Sequence, residues 1–220
     1  MKPIVLINPN TSSATTAMMT AIARKYASGI PVTGKTASRG VPMILDEAAL
    51  DAAAEGVVEM GRQAEADGAA GIIVSAFGDP GLEALAHICP IPVVGICEAS
   101  MLEASRGNRR FGIATVTPDL VASFAAKAEA LGLRHLFTGT RLTEGDPIQL
   151  TADPAMLRDA LQETARSCFE KDGAEAVIIG GGPLGEAAEH IQQSLSAPVI
   201  APIRSAVTLL LSRLSAEQSR

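Results

Sequence analysis

Short apolar runs alternate with longer amphipathic stretches along this chain of 220 residues. Six runs rich in Ile and Val predict strands at residues 4–7, 72–75, 93–96, 111–115, 177–180 and 199–201. Two weaker runs, at 31–36 and 135–138, predict two more. The stretches between them, such as residues 45–66, carry Ala, Leu and Glu with apolar residues at helical spacing. Because the strands show no polar alternation, we expect parallel strands buried on both faces and covered by helices, hence an α/β fold.

The chain also repeats itself at an offset of 105 residues, the difference between Asp67 and Asp172. The segment EADGAAGIIVSAFGDPG from residue 65 aligns with EKDGAEAVIIGGGPLG from residue 170, and IPVVGICEAS from residue 91 matches APVIAPIRSA from residue 197. VLINPNTS from residue 5 roughly matches GIATVTPD from residue 112. The repeat predicts halves 1–107 and 108–220. A second division stays open, with intertwined halves formed by 1–10 plus about 98–205 and about 11–97 plus about 206–220.

A duplication of this kind has a geometric consequence. In open parallel sheets, ligands bind beyond the carboxyl ends of the strands. Two Rossmann-like halves related by a pseudo-twofold axis would turn those ends towards one cleft. The loops expected to meet there are 8–12, 75–81, 97–100, 115–117, 180–185 and 202–205.

Composition and charge limit the classes of molecule that this chain is expected to bind. Hydrophobic residues make up 47% of the chain, the net charge is −6 and no basic run occurs, so neither nucleic acid nor an anionic membrane is expected. No apolar run is long enough to span a bilayer or to form a signal peptide. The three cysteines suit reduced thiols in a cytoplasm, and the three histidines lack metal-ligand spacing. We therefore expect a small-molecule ligand and no metal.

Two motifs follow predicted strands. Asn8, Asn10 and Thr11 belong to a segment, NPNTS, that opens a helix, where free N–H groups make an anion cradle or a side chain simply caps the helix. Gly180 to Gly185 formally satisfies the dinucleotide pattern G-x-G-x-x-G, but the acidic residue expected about 20 positions later is missing. A nucleotide site is therefore not favoured.

Three further residues are candidates for chemistry, each with a structural alternative. Asp79 follows a buried strand, where it would act as a base, hold a ligand or cap a helix. Glu98 is either an acid in the cleft or a first-turn acid favoured by the helix dipole. Cys97 is either a strand-end nucleophile or a small buried filler.

Taken together, the segments INPNTS, FGDPGL, PVVGICEAS and DGAEAVIIG resemble the aspartate/glutamate racemase superfamily, and in particular its hydantoin-racemase branch. The resemblance covers nearly the whole chain. It implies two Rossmann-like halves, a cleft site between them, no organic cofactor, no metal and a homo-oligomer. It also implies chemistry by two cysteines, one thiolate removing the α-proton and the opposite thiol returning a proton to the other face.

The sequence departs from that pattern at both thiols. The corresponding positions are Ala76 and Gly181, and neither side chain carries a proton that it can transfer. The decarboxylase relatives keep the cysteine of the second half, which is also missing here. Two-thiol racemisation and decarboxylation by the same route are therefore not expected.

Three functions stay open. The first is an enzyme that acts on a small carboxylate or hydantoin-like ureide, with Asp79 or Glu98 as base towards substrate or water, giving a hydrolase, lyase or tautomerase. The second is a racemase that uses Cys97 and Asp79. The third is a binder without catalysis. The residues expected to contact the ligand are Asn8, Asn10, Thr11, Ser75, Ala76, Phe77, Gly78, Thr115, Thr117, Gly181, Gly182 and Pro183.

Overall fold

The structure, a computed structural model, describes residues 1–218, with side chains described to residue 216. Eight strands form. They are β1 (Ile4–Asn8), β2 (Val32–Thr36), β3 (Gly71–Val74), β4 (Val93–Gly95), β5 (Phe111–Thr115), β6 (Phe137–Leu142), β7 (Ala176–Ile179) and β8 (Val199–Ile200). Every residue of β1, β3, β5 and β7 is buried, which accounts for the uninterrupted runs of Ile and Val.

These strands form two parallel sheets of four, ordered β2-β1-β3-β4 and β6-β5-β7-β8. The chain steps outwards from β1 to β2 and then crosses to β3 on the other side of β1. The second half repeats this path. Each sheet therefore has a switch point between its two central strands, where loops separate and leave room for a ligand. The predicted α/β fold of two Rossmann-like halves is confirmed.

Helices cover both sheets. Within the described residues they are α1 (Ser13–Tyr26), α2 (Glu47–Ala66), α3 (Leu82–Ile88), α4 (Ile96–Ala104), α5 (Val121–Ala130), α6 (Pro147–Ala152), α7 (Pro154–Asp172), α8 (Gly185–Gln192) and α9 (Pro202–Gln218). In four of them the residue just before the helix caps its start with a side chain, namely Ser12, Asp46, Asp146 and Asp153. None of the helices in residues 1–218 has the length and apolar character needed to cross a membrane.

Two helices reach across to the opposite half. Helix α4 follows β4 yet packs against β7, β8 and α5, and α9 follows β8 yet packs against α1, β3 and β4. One hydrophobic core consequently contains residues from both halves, including Ile73 and Ile178. Both divisions of the chain drawn from the repeat stay predictions, and their last two residues, 219 and 220, lie outside the described part.

One strand differs clearly from its prediction. The apolar pattern predicts a strand at residues 135–138, whereas the strand found there, β6, spans Phe137–Leu142. Its later residues are Gly139, Thr140 and Arg141, only partly buried at the edge of the second sheet. Because these later residues are only partly buried, they need not form the apolar run that marks a fully buried strand.

Candidate active site

A cavity of about 80 Å³ lies where the carboxyl ends of the two sheets face each other. The loops after β1, β3, β5 and β7 all contribute to it, as the duplication predicts. Its lining comprises Asn10, Met43, Ile44, Ser75, Ala76, Phe77, Val116, Thr117, Leu120, Phe124, Thr151, Gly180, Gly181, Gly182, Pro183 and Leu184.

The first wall is built on the segment after β1. Asn8 is fully buried, and its amide donates to Asn10 Oδ1 at 2.8 Å, to Thr16 Oγ1 at 3.0 Å and to a backbone carbonyl. These bonds occupy the Asn8 side chain and orient Asn10, which does line the cavity. The backbone N–H of Thr11 donates to Val41 O at 3.0 Å, so the segment also ties down the loop that brings Met43 to the cavity.

A pair of threonines forms the matching wall in the second half. Thr115 Oγ1 donates to Gly180 O at 2.7 Å and lies 3.1 Å from Thr117 Oγ1. Thr115 is fully buried, and Thr117 lines the cavity. Thr115 therefore supports the glycine loop, and Thr117 presents a hydroxyl to a ligand.

Backbone N–H groups supply further donors. Among the described residues, no hydrogen bond within the chain engages the N–H groups of Ala76, Phe77, Gly181 or Gly182, all of which line the cavity. Buried N–H groups are nearly always paired in proteins. Four donors without a partner in the chain, two from each half, thus belong to residues that line one cavity, where oxygen atoms of a ligand could pair with them.

Ala76 and Gly181, the positions that the resemblance assigns to thiols, both line this cavity. A Cβ added at Gly181 would lie 2.9 Å from side-chain atoms of Leu184, which packs over the glycine. Apolar groups thus fill the places from which proton carriers would act.

Asp79 caps a helix and lies outside the cavity lining. Its carboxylate accepts 2.8 Å hydrogen bonds from the N–H groups of Cys97 and Glu98, the first turn of α4, and lies 3.6 Å from Lys127 Nζ. Burial raises the pKa of the Asp79 carboxyl from 3.8 to about 6, against the opposing effect of Lys127 and the two N–H groups. Of its predicted roles, the structure supports the cap.

The other two candidates for chemistry are also held away from the cavity. Glu98 accepts a hydrogen bond from Arg213 of α9 and is not among the residues that line the cavity. Cys97 is fully buried, and desolvation raises the pKa of its thiol well above the ordinary 9.0, so it stays protonated near neutral pH. This favours the reading of Cys97 as a buried filler.

The cavity lining therefore contains no ionisable side chain among the described residues. Eight of the predicted ligand contacts line it, and Asn8, Thr11, Gly78 and Thr115 do not. Val116, Gly180 and Leu184 lie in loops that the sequence analysis places at the cleft, whereas it missed Met43, Ile44, Leu120, Phe124 and Thr151. Apolar residues in a loop or helix carry no local signal of a site, because the same residues also build cores.

The described residues, 1–218, contain no cluster of side chains that could form a metal site. No three His, Cys, Asp or Glu side chains of that part lie close enough together to hold an ion. The groups that could bind a ligand are hydroxyls, one amide and backbone N–H groups. Such a set suits a small molecule that presents oxygen acceptors.

Comparisons with known proteins agree with this architecture. The family model Asp/Glu/Hydantoin racemase matches residues 4–210. A hydantoin racemase of Rhizobium meliloti is 30% identical over 224 aligned positions, covering 97% of this chain and 89% of the relative. A hydantoin racemase of Pseudomonas sp. strain NS671 is 28% identical over 201 positions, covering 90% and 80%.

A solved structure of a related protein has a similar fold. The allantoin racemase from Klebsiella pneumoniae superimposes with a TM-score of 0.93 at 28% identity, over 99% of this chain and 89% of that one. The family match covers nearly the whole chain, and the two facing parallel sheets are shared with solved members. This chain belongs to the Asp/Glu/Hydantoin racemase family.

Proposed function

We propose that this chain is a cofactor-independent enzyme that acts on a small cyclic ureide of hydantoin type without two-thiol proton transfer. The observation that carries the proposal is a mostly apolar cavity between the strand ends, with a few hydrogen-bond donors and no ionisable side chain in its lining. The named relatives that act on hydantoin or allantoin support the class of ring.

The size of the cavity agrees with such a ligand. Its volume is about 80 Å³. That is several times the roughly 10–15 Å³ that a cavity needs to hold a single water, so the site has room for a small ring. The ring would be sandwiched between the strand-end loops of the two halves.

Charge favours a ureide over an amino acid or a free carboxylate. No cationic side chain lines the cavity, so a carboxylate would lose its hydration without a counter-ion, which is costly in a buried site. A ureide carries no full charge in its ground state, and its carbonyl oxygens can accept from Thr117, Asn10 and the unpaired N–H groups.

The same donors would stabilise charge that develops during reaction. When the proton on the ring carbon next to the carbonyl leaves to water or hydroxide, its bonding electrons move onto the carbonyl oxygen and form an enolate. The N–H groups of Ala76 and Gly181, with their neighbours, would bind that oxygen more strongly than the neutral carbonyl. Each well-placed donor of this kind is worth about 10²–10³ in rate. Solvent would supply the returning proton.

Proton NMR in D₂O tests the proposal directly. Hydantoins, 2-thiohydantoins and α-amino acids are incubated with the protein at equal concentration. We expect the ring-carbon proton of hydantoins to exchange faster than in buffer alone, and the amino acids to show no exchange. Exchange of amino acids but not of hydantoins would overturn the proposal, and ring-opened or desulfurised products would identify a hydrolase instead.

A second candidate, a non-catalytic binder of the same ligand, is favoured by one observation: the absence of any acid or base among the described residues that line the cavity. It predicts shift changes and saturable binding for hydantoins with no exchange above the buffer rate. The same NMR experiment therefore separates the two functions, since both predict binding and only the enzyme predicts exchange.

A further inference from the structure

Asp79 is a buried carboxylate that the proposed chemistry does not use, and three elements converge on it. Its side chain is fully buried, and its own backbone adopts a left-handed φ of 55°. A Cβ added at Gly95 would lie within 2.2–2.5 Å of the carboxyl atoms, so the group is pressed against bare backbone. A non-glycine residue holds such a conformation only where its surroundings impose it.

Capping accounts for only part of this arrangement. The Asp79 carboxylate accepts from the N–H groups of Cys97 and Glu98 and so provides partners for two free donors at the start of α4. Lys127 of α5 adds a cation at 3.6 Å, with a side chain that is only 14% exposed. Helix α5 follows β5 and precedes β6 in the chain, so it belongs to the second half. The ion pair therefore joins the second half to a loop of the first.

The ion pair lies next to a ring contact that joins the same two elements. Phe77, two residues before Asp79, packs edge-to-face on Phe124 with ring centroids 5.0 Å apart. Phe124 and Lys127 are three residues apart on α5 and so share a helix face. Both phenylalanines line the cavity.

We propose that Asp79 is a positioning residue which, through Lys127, latches the two halves together beside the cavity wall formed by Phe77 and Phe124. The carboxylate holds the loop after β3 on one side, and the ammonium group holds α5 on the other. The latch keeps Phe77 against Phe124 and thereby sets the width of the ligand site. The ligand part of this inference rests on the proposed function, whereas the latch itself does not.

The charged surroundings of Asp79 determine how it responds to pH. Lys127 faces it from α5, and Glu98 and the Cys97 thiol face it from α4. Glu98 is itself paired with Arg213 of α9. Because burial raises the pKa of Asp79 to about 6, the buried carboxyl binds a proton between pH 7 and pH 5 more readily than one that opening exposes to water, so acid favours the closed loop.

Hydrogen exchange read by mass spectrometry tests the latch without any ligand. Lys127→Met removes the inter-half partner and leaves the two cap bonds of Asp79 intact. We expect exchange to rise at least about tenfold in peptides covering both 75–81 and 118–130, since loss of one partner of a buried ion pair is strongly destabilising. The first turn of α4 and strand β1 should keep their protection. Lys171→Met, at an exposed lysine of α7, is the control.

Two further readouts separate the latch from a simple cap. Between pH 7 and pH 5, after correction for the intrinsic rate, exchange in both peptides should fall together in wild type, and it should fall further in Lys127→Met, where no cation opposes the protonation of Asp79. Asp79→Asn should loosen both peptides and α4 together. If Lys127→Met exchanges like wild type, or Asp79→Asn loosens α4 alone, the latch is wrong.

The ligand arm uses 5-methylhydantoin as the probe. Lys127→Met should weaken its binding about tenfold or more relative to Lys171→Met, as the walls separate. If wild type does not bind the probe, the proposed function fails, while the exchange data still decide the latch. If the probe binds with equal affinity to both variants, the latch does not set the width of the site.

Discussion

The two loops that close the cavity, 75–81 after β3 and 180–185 after β7, hold equivalent places in the two halves but are anchored by different chemistry. At the offset of 105 residues, Asp79 stands opposite Leu184. The segments that start at residues 91 and 197 match at an offset of 106, which places Gly95 opposite Ala201. In the first half a buried carboxylate caps α4 and excludes any Cβ at Gly95. In the second half an apolar side chain takes the place of the acid, and the residue before α9 carries a methyl group.

The hydroxyl bonds beneath the loops also run in opposite directions. In the first half, Ser75 of the loop donates to Ile7 O of the neighbouring strand at 2.7 Å. In the second half, Thr115 of the strand donates to Gly180 O of the loop, also at 2.7 Å. The backbone geometry of the two loops is thus maintained by unrelated side chains.

This difference shows that an internal repeat conserves where groups meet more strictly than which groups meet. Both loops still bring unpaired N–H groups to one cavity, because this depends on backbone placement at the strand ends. A pair of matched side chains, by contrast, can be lost from both loops without disturbing the fold, since small residues replace them easily.

Restoring a thiol on each loop has the largest expected effect. Ala76→Cys with Gly181→Cys should raise hydantoin proton exchange about 10²–10⁴-fold, the usual gain from a positioned acid and base. NMR in D₂O measures the rate, and Ala76→Ser with Gly181→Ser is the control of equal size.

A Cβ at residue 181 would approach Leu184 side-chain atoms at 2.9 Å, so the pair of thiols is also tested together with Leu184→Ala. No gain in either background would mean that the two loops do not present these positions to a common ligand.

Of the two loops, only the first, with its buried Asp79, should contribute to the pH dependence of stability, and this effect should come next in size. The pKa of Asp79 is about 6 in the folded protein and 3.8 when unperturbed, so between these values the folded state binds a proton that the unfolded state lacks. The contribution of Asp79 to the free energy of unfolding therefore increases by up to about 3 kcal/mol as pH falls from 7 to 4.

Denaturant unfolding of wild type and Asp79→Asn across that range measures the difference, because the variant lacks this titration. A difference between the two proteins that stays constant with pH would contradict the assignment.

Exchanging the residues that precede α4 and α9 should affect the two halves unequally. Gly95→Ala forces a methyl group against the Asp79 carboxylate and should destabilise the protein by about 1–3 kcal/mol. Ala201→Gly meets no such group and should cost only about 0.5–1 kcal/mol, mainly through backbone entropy. Urea unfolding compares the two variants, and equal losses would argue against the difference between the loops.

The smallest effect is expected from the two opposed hydroxyl bonds. Ser75→Ala and Thr115→Val each remove one buried hydrogen bond, so each should lower the free energy of unfolding by about 1 kcal/mol. Thr115→Val should cost slightly more, because Thr117 also loses a neighbouring hydroxyl. Thermal and urea unfolding measure the stability of both variants. If only one variant is less stable than wild type, only that loop depends on its hydroxyl.

Much of the site was predictable because it follows from strand order. The alternation of Ile/Val runs with amphipathic stretches indicated parallel sheets, and the repeat indicated that the segments around Ala76 and Gly181 would converge. The roles of Asp79, Glu98 and Cys97 were not predictable in the same way. Each lies at a strand end or a helix start, where a carboxylate serves a cap, an ion pair or a ligand equally well.

The sequence by itself determined the fold class, the duplication and the absence of thiols at both strand ends, because periodicity and local spacing carry that information. Only the tertiary structure decided that Asp79 pairs with Lys127, that Leu184 covers Gly181 and that Phe124 joins the cavity wall. Those contacts join residues far apart in the chain or depend on side-chain direction, and both are settled by packing.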